Sequence, residues 1–294
     1  MQALRDTARK LLQENAVTLV VGYEQGPRGV RPVFVTKPEA VDRLIFDNRC
    51  VHNLATYLNP RRAILRPKGK MAVVVKGCDA RSVASLLRET QIKREDAVLI
   101  GVRCGGVLRV VDADTDTGVE LTVENVADKC GGCDCREPKL VDVLVGDLPP
   151  DPPVSMKRKD MTAQLEAMTP AQRWAFWQNE LARCVRCHAC REVCPTCYCD
   201  ICIATRTQPQ WIDSSPHPQA NLSWQFTRVL HQAGRCAGCG ECERACPVHI
   251  PLGLLTNKAA LIVEERFKYR TTDDPEVAAP IGAYRLDDKQ EFIL

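Results

Sequence analysis

The sequence predicts an α/β N-terminal domain with parallel strands, followed by a mainly α-helical domain. Three observations lead there. Between residues 71 and 100, β-branched apolar runs alternate with a helical pattern, as in a parallel crossover unit. A proline-rich stretch, DLPPDPPVSMKRKD, interrupts the chain at residues 147–160. Beyond it the apolar spacing is helical. At 294 residues there is chain enough for two cores. The expected division is an α/β domain over 1–146, a linker over 147–160, a helical domain over 161–270 and a tail over 271–294.

The elements follow in order. MQALRDTARKLLQEN places Leu4, Ala8, Leu11 and Leu12 at helical spacing between charges, which reads as an amphipathic first helix and not a secretion signal. Residues 17–21 form a short β-branched strand. Thr36-Lys37-Pro38-Glu39 starts a helix, with Thr36 as cap and Pro38 in the first turn. MAVVV at Met71–Val75 is a buried strand, 81–89 a helix with Val83, Leu86 and Leu87 inward, and AVLI at 97–100 the next strand. In the second half, Thr169-Pro170-Ala171-Gln172 repeats the capping pattern, and Trp174, Trp177 and Leu181 share a helix face that reads as core. Residues 221–232 and 254–267 are further helices. The tail is charged, proline-containing and aperiodic, a strap or docking arm.

Composition excludes several classes. Forty Lys and Arg against 37 Asp and Glu give +3, so no field is aimed at nucleic acid or lipid headgroups. The basic run Lys157-Arg158-Lys159 reads as solvated linker. No apolar run approaches the ~18 residues of a membrane helix. The expectation is a cytoplasmic chain without direct membrane insertion. Seventeen cysteines, an odd number in a chain too large to need stapling, then point to metal ligation rather than disulfides. Cys50 stands alone in NRCVHNL and reads as a small core residue.

The strongest pattern is a duplication. Cys184-x2-Cys187-x2-Cys190-x3-Cys194-Pro195 recurs as Cys236-x2-Cys239-x2-Cys242-x3-Cys246-Pro247, with every cysteine offset by 52. This is the spacing of bacterial-type ferredoxin runs, in which the fourth cysteine ligates the other cluster. One 4Fe-4S cluster is therefore assigned to Cys184, Cys187, Cys190 and Cys246, and a second to Cys236, Cys239, Cys242 and Cys194. Structural zinc would use four thiolates in paired CxxC units, and two complete runs ending in proline argue against it. The 41 residues between Cys194 and Cys236 contain a predicted helix, so the module is a helical dicluster ferredoxin domain.

The first domain holds a second concentration of thiols. Cys78 follows the strand ending at Val75, and Cys104 follows the one ending at Ile100. Parallel strands joined by a right-handed crossover end on one edge, so both thiols project into the crevice beyond it. KCGGC adds Cys130 and Cys133, with glycines that allow a tight fold round a metal. These four are assigned to a third 4Fe-4S cluster, with a zinc site or buried free thiols as the alternative. Asp79 would cap a helix starting near Ala80, whose N-terminal dipole favours a thiolate-bound cluster. Cys135 is a spare ligand or a bystander.

KMAVVVKGCDARSVASLL followed by VLIGVRCGGV resembles the beta subunit family of deazaflavin-reducing hydrogenases and formate dehydrogenases. CVRCHACREVCPTCYCDIC and CAGCGECERACPVHIPL are similar to the dicluster ferredoxin module attached to some members. The resemblance implies an iron–sulfur centre at Cys78, Cys104, Cys130 and Cys133, often with FAD beside it. No G-x-G-x-x-G follows a predicted strand, so FAD rests on the resemblance alone. The resulting expectation is an electron-transfer subunit of a multisubunit oxidoreductase, with other redox subunits as partners. The alternatives are an FAD-containing subunit that splits hydride-derived electrons, and an iron–sulfur redox sensor.

Cys197, Cys199 and Cys202 stay open between a further centre and packing beside the adjacent cluster. His188 is expected to hydrogen-bond nearby. Arg183, Arg186 and Arg191 flank the first run, either raising its potential or as solvated surface. No nucleophile–base pair of the hydrolase type is present.

Overall fold

The computed structural model describes residues 1–65, 69–284 and 286. Helix α1 (Gln2–Gln13) buries Leu4, Ala8 and Leu12 against the sheet, as its spacing predicts. Strands β1 (Leu19–Gly26) and β2 (Gly29–Val35) form an antiparallel hairpin, and β1 then pairs in parallel with β3 (Met71–Val75). Helix α2 (Gly77–Arg88) crosses over to β4 (Ala97–Val102), parallel to β3 with Val73 opposite Leu99. A short β5 (Val143–Val145) completes a sheet of order β2-β1-β3-β4-β5. The sheet is thus mixed but mostly parallel, an α/β arrangement.

Every residue of β3 and β4 is buried, which explains why both read as unbroken apolar runs instead of alternating ones. Each such Val or Leu contributes about 1.5–3 kcal/mol through burial. Cys50 is fully buried in the same core, as expected, and burial pushes its thiol up to about 12. Two local expectations need correction. Pro38–Arg43 is a short 3-10 helix capped at Lys37 without a side-chain bond, so Thr36 is not its cap. The second helix begins at Gly77, four residues before the predicted start.

After β5 the described residues form helices and loops. Helix α3 (Lys157–Ala167) starts inside the expected linker, and Arg158 lies 3.7 Å from Glu243. The basic run is therefore the first turn of a helix. Helix α4 (Pro170–Ala182) carries the predicted Thr169–Gln172 capping box. Trp177 and Leu181 are buried, whereas Trp174 is 47% exposed and only borders Phe226. Next come α5 (Ala189–Glu192), α6 (Pro218–Gln232), α7 (Glu241–Arg244) and α8 (Leu252–Phe267).

Residues 271–284 strap back across the N-terminal half: Asp273 accepts from the backbone of Lys139, and the carbonyl of Asp274 from Arg88. The end of the expected tail, residues 287–294, lies outside the described residues. No helix among them is long and apolar enough to cross a membrane.

Candidate metal centres

The crossover unit sets the N-terminal thiols. Cys78 lies in the first turn of α2, and the backbone N–H of Cys104, just past β4, bonds to the carbonyl of Arg136 at 2.9 Å. Gly77 has to be glycine, because a Cβ there would lie 1.6 Å from the carbonyl oxygen of Cys135. Cys130 ends a single 3-10 turn, and the amide of Cys133 returns to its carbonyl at 3.2 Å. Backbone amides reach two of the sulfurs: Gly106 donates to Cys104 Sγ at 3.4 Å and Val107 to Cys130 Sγ at 3.3 Å. Cys78, Cys104, Cys130 and Cys133 all line one cavity of about 570 Å³.

Asp79 is not the cap of α2. It is the third residue of the helix, and its carboxylate accepts from the Lys76 backbone N–H at 2.8 Å. Lys76 itself is fully buried at the cavity, with Nζ 3.1 Å from Asp79, 2.7 Å from the His52 carbonyl and bonded to the Tyr23 hydroxyl. Burial alone would lower its pKa, but Asp79, Tyr23 and Cys78 outweigh it, so the ammonium stays charged. Sequence reasoning missed this cation, although it stands directly at the strand end in VVVKGCDA.

The duplicated runs fold the same way twice. Helices α5 and α7 occupy equivalent positions, offset by 52, and each follows a left-handed residue, His188 (φ 59°) and Gly240 (φ 70°). Two positions earlier, Arg186 (φ 56°) matches Gly238 (φ 67°). Cys236, Cys239 and Cys242 line the 570 Å³ cavity, and so does Cys194, from the other run. Cys246 of the second run packs in one apolar cluster with Cys184 and Cys190 of the first, around Leu181, Trp224 and Ile250, and Cys242 borders both the cluster and the cavity. Cys187 is exposed.

Among the described residues no group of three or more His, Cys, Asp or Glu side chains is placed to hold a single metal ion.

The charges suit an anionic group. Burial pushes the thiols of Cys190 and Cys236 up to about 11. Cys194 moves the other way, downward, chiefly because it accepts a hydrogen bond from Cys197, with Arg228 also close. Arg228 is 3% exposed, and its Nε and Nη1 have no partner, while Nη2 donates to the Cys190 carbonyl at 3.3 Å. Cys242, Cys190, Cys194 and Cys197 surround it and hold its guanidinium charged against burial. A buried cation with two idle donors is costly unless an anion faces it. Thiolate-bound iron–sulfur groups in these two sets would meet that need, so the residues present fit them.

Arg228 belongs to a polar stripe on α6. Asn221 donates to the Cys184 carbonyl at 2.8 Å. Gln225 Nε2 lies 3.7 Å from Cys184 Sγ and 3.9 Å from Cys190 Sγ, and Gln232 Nε2 lies 3.3 Å from Cys197 Sγ. All four are buried. Their spacing, 221, 225, 228, 232, is that of one helix face. That signal was present in the sequence and was overlooked, because polar residues at helical spacing read as solvent-facing.

Cys197, Cys199 and Cys202 line a crevice of about 40 Å³ that also reaches Arg228. Cys135 lines the 570 Å³ cavity, and its thiol, pushed up to about 12 mainly by burial, faces Asp273. His188 does not hydrogen-bond as expected: its Nδ1 has no partner and its ring sits edge-on to Trp224 at 5.0 Å. Of the flanking arginines, Arg186 is buried and donates to the carbonyls of Ala204, Asp213 and Ala220. Arg191 donates to the carbonyl of Cys199, and Arg183 pairs with Glu180 at the surface.

A second cavity, about 700 Å³, opens beyond β4 and β5, where open α/β sheets bind their ligands. Its lining sets Asp47, Glu120, Asp147 and Asp151 against one side-chain cation, Arg103, already engaged with Glu137 and the Gly146 carbonyl. A dinucleotide pyrophosphate does not fit this lining.

No family model matches the chain. It is 24% identical to the F420-dependent formate dehydrogenase subunit beta of Methanocaldococcus jannaschii, over 68% of this chain and 73% of that one. It is 23% identical to the F420-dependent formate dehydrogenase 1 subunit beta of Methanococcus maripaludis, over 72% and 76%. Over a shorter stretch, 29% of this chain and 24% of the other, it is 29% identical to the polyferredoxin protein MvhB of Methanothermus fervidus. The chain is thus similar to formate dehydrogenase beta subunits over about 70% of its length and, over a shorter stretch, to a polyferredoxin.

Proposed function

We propose that this chain is an iron–sulfur electron-transfer subunit of a cytoplasmic multisubunit oxidoreductase, of the formate dehydrogenase, hydrogenase or heterodisulfide-reductase-like kind. Residues 1–146 form one metal-bearing domain and 161–270 the other. Cys78, Cys104, Cys130 and Cys133 hold one 4Fe-4S cluster. Cys184, Cys187, Cys190 and Cys246 hold a second, and Cys236, Cys239, Cys242 and Cys194 a third. The observation that supports this is that Cys194 lines one cavity with Cys236, Cys239 and Cys242, whereas Cys246 does not line it and packs with Cys184 and Cys190.

When bound, such clusters supply one-electron chemistry. The chain's own residues do the rest. Cys thiolates would anchor the irons, and the apolar cluster of Leu181, Trp224 and Ile250 packs round Cys184, Cys190 and Cys246, while Cys187 stays exposed. The cations Arg228 and Lys76 offset negative charge where burial would otherwise keep thiols protonated. Iron and acid-labile sulfide on anaerobically purified protein test the reading. About twelve of each per chain are expected, from three four-iron centres. Zinc without iron would refute it.

A further inference from the structure

Lys129 stands where the two thiol sets meet across the 570 Å³ cavity. It precedes Cys130 of the N-terminal set, and its Nζ donates to the carbonyl of Cys239 in the ferredoxin-type set at 2.7 Å. A second bond goes to the carbonyl of Val51 at 3.3 Å. Its stem lies along Gly240, where an added Cβ would be 3.4 Å from Lys129 Cδ. Glu241, 3% exposed, is the nearby countercharge and also pairs with Arg244 at 2.8 Å.

The cavity that Lys129 lines is shared by Cys78, Cys104, Cys130 and Cys133 with Cys194, Cys236, Cys239 and Cys242. Cys184, Cys187, Cys190 and Cys246 do not line it. Two thiolate-rich sets facing one cavity repel one another, and a fixed ammonium between them reduces that repulsion.

We propose that Lys129 is a positioning residue joining the N-terminal centre to the Cys236 centre, and that this pair is where electrons cross between the halves. The route then runs from the N-terminal set through the Cys236 set to the Cys184 set, or the reverse. Each crossing oxidises one centre and reduces its neighbour by one electron, without a proton or bond change. A one-electron reductant at either end supplies the flow. The inference rests on the three-cluster reading above.

The test is a potentiometric titration of the full chain under dithionite, followed by electron paramagnetic resonance. Signals are assigned beforehand with Cys104→Ser, Cys239→Ser and Cys187→Ser, one per centre. Iron and sulfide are counted first, and their absence from the unmutated chain would sink the three-cluster reading rather than this one. In Lys129→Met the midpoint potentials of the Cys104 and Cys239 centres shift down and that of the Cys187 centre stays; Lys129→Arg restores both. Glu241→Gln shifts the same two upward. No shift, a shift common to all three, or a shift confined to the Cys187 centre overturns the proposal. If Lys129→Met loses iron, Glu241→Gln decides alone by the same criterion.

Discussion

Single side chains carry most of the electrostatic design. Arg228 has two buried nitrogens without partners amid four cysteines. Removing a buried charge that faces an anion costs about 3–5 kcal/mol. Arg228→Leu should therefore lose iron under mild chelation at least tenfold faster than wild type, with Arg228→Lys in between; chelator-release kinetics give the answer. Gly77→Ala should cost more, because the clash is with backbone. A loss of about 4 kcal/mol or more is expected by chemical denaturation, at the diagnostic end of single substitutions.

His52 gives a pH signature. Burial, then Arg244, lowers its pKa to about 4, so the folded imidazole stays neutral and accepts from Arg244 at 3.0 Å. An unfolded histidine titrates near 6.5, so the unfolded chain binds the proton first. Stability from this residue is present above pH ~6.5 and falls as pH drops towards about 4. NMR of the imidazole should show no protonation at pH 5.5.

At the scale of elements, the two cysteine runs show what repetition fixes. The left-handed positions 186 and 188 recur at 238 and 240, where the second copy uses glycine. A non-glycine residue there costs roughly 1–2 kcal/mol, so Gly240→Ala should destabilise by about 1 kcal/mol. The measurement is a denaturation midpoint on the holo chain.

Much of this level was legible beforehand: the strand at Met71–Val75, residues 97–100 of the strand Ala97–Val102, the Thr169 capping box, and α6 and α8 from residues 221 and 254 onward. Strand β2 was missed because GVRPVFV carries a proline and no clean alternation. Strand β5 was missed because three residues give no period at all. Thr36 was misread as a cap because spacing alone does not say whether a side chain turns back to the helix. The α6 stripe was misjudged for the opposite reason: its period was visible, but its burial depends on cysteines distant in sequence.

Across the whole molecule the two halves are held by polar contacts that no local pattern announces. Arg235 bonds Glu89 through both nitrogens at 2.6 Å, and Asn59 Nδ2 donates to the carbonyls of Pro195 and Cys197. Arg61 reaches Glu192 and the Cys197 carbonyl. These contacts fix the N-terminal half against the segment that follows Cys194. Partly buried pairs of this bidentate kind exceed the value of exposed ones. Glu89→Gln should accordingly raise hydrogen exchange in α6 and at the end of α2, leaving β3 and β4 protected.

The proposed membership of each thiol set could be read from spacing and strand ends. That the N-terminal set faces Cys236 and not Cys184 could not, since it depends on how the halves dock.

The exchanged fourth ligand is the claim on which the rest depends, and Cys246→Ser tests it most directly. In the reduced, anaerobic chain its resonance spectrum should change at the centre that Cys187→Ser also changes. If Cys246→Ser instead alters the centre that Cys239→Ser alters, each run keeps its own last cysteine and the account is wrong.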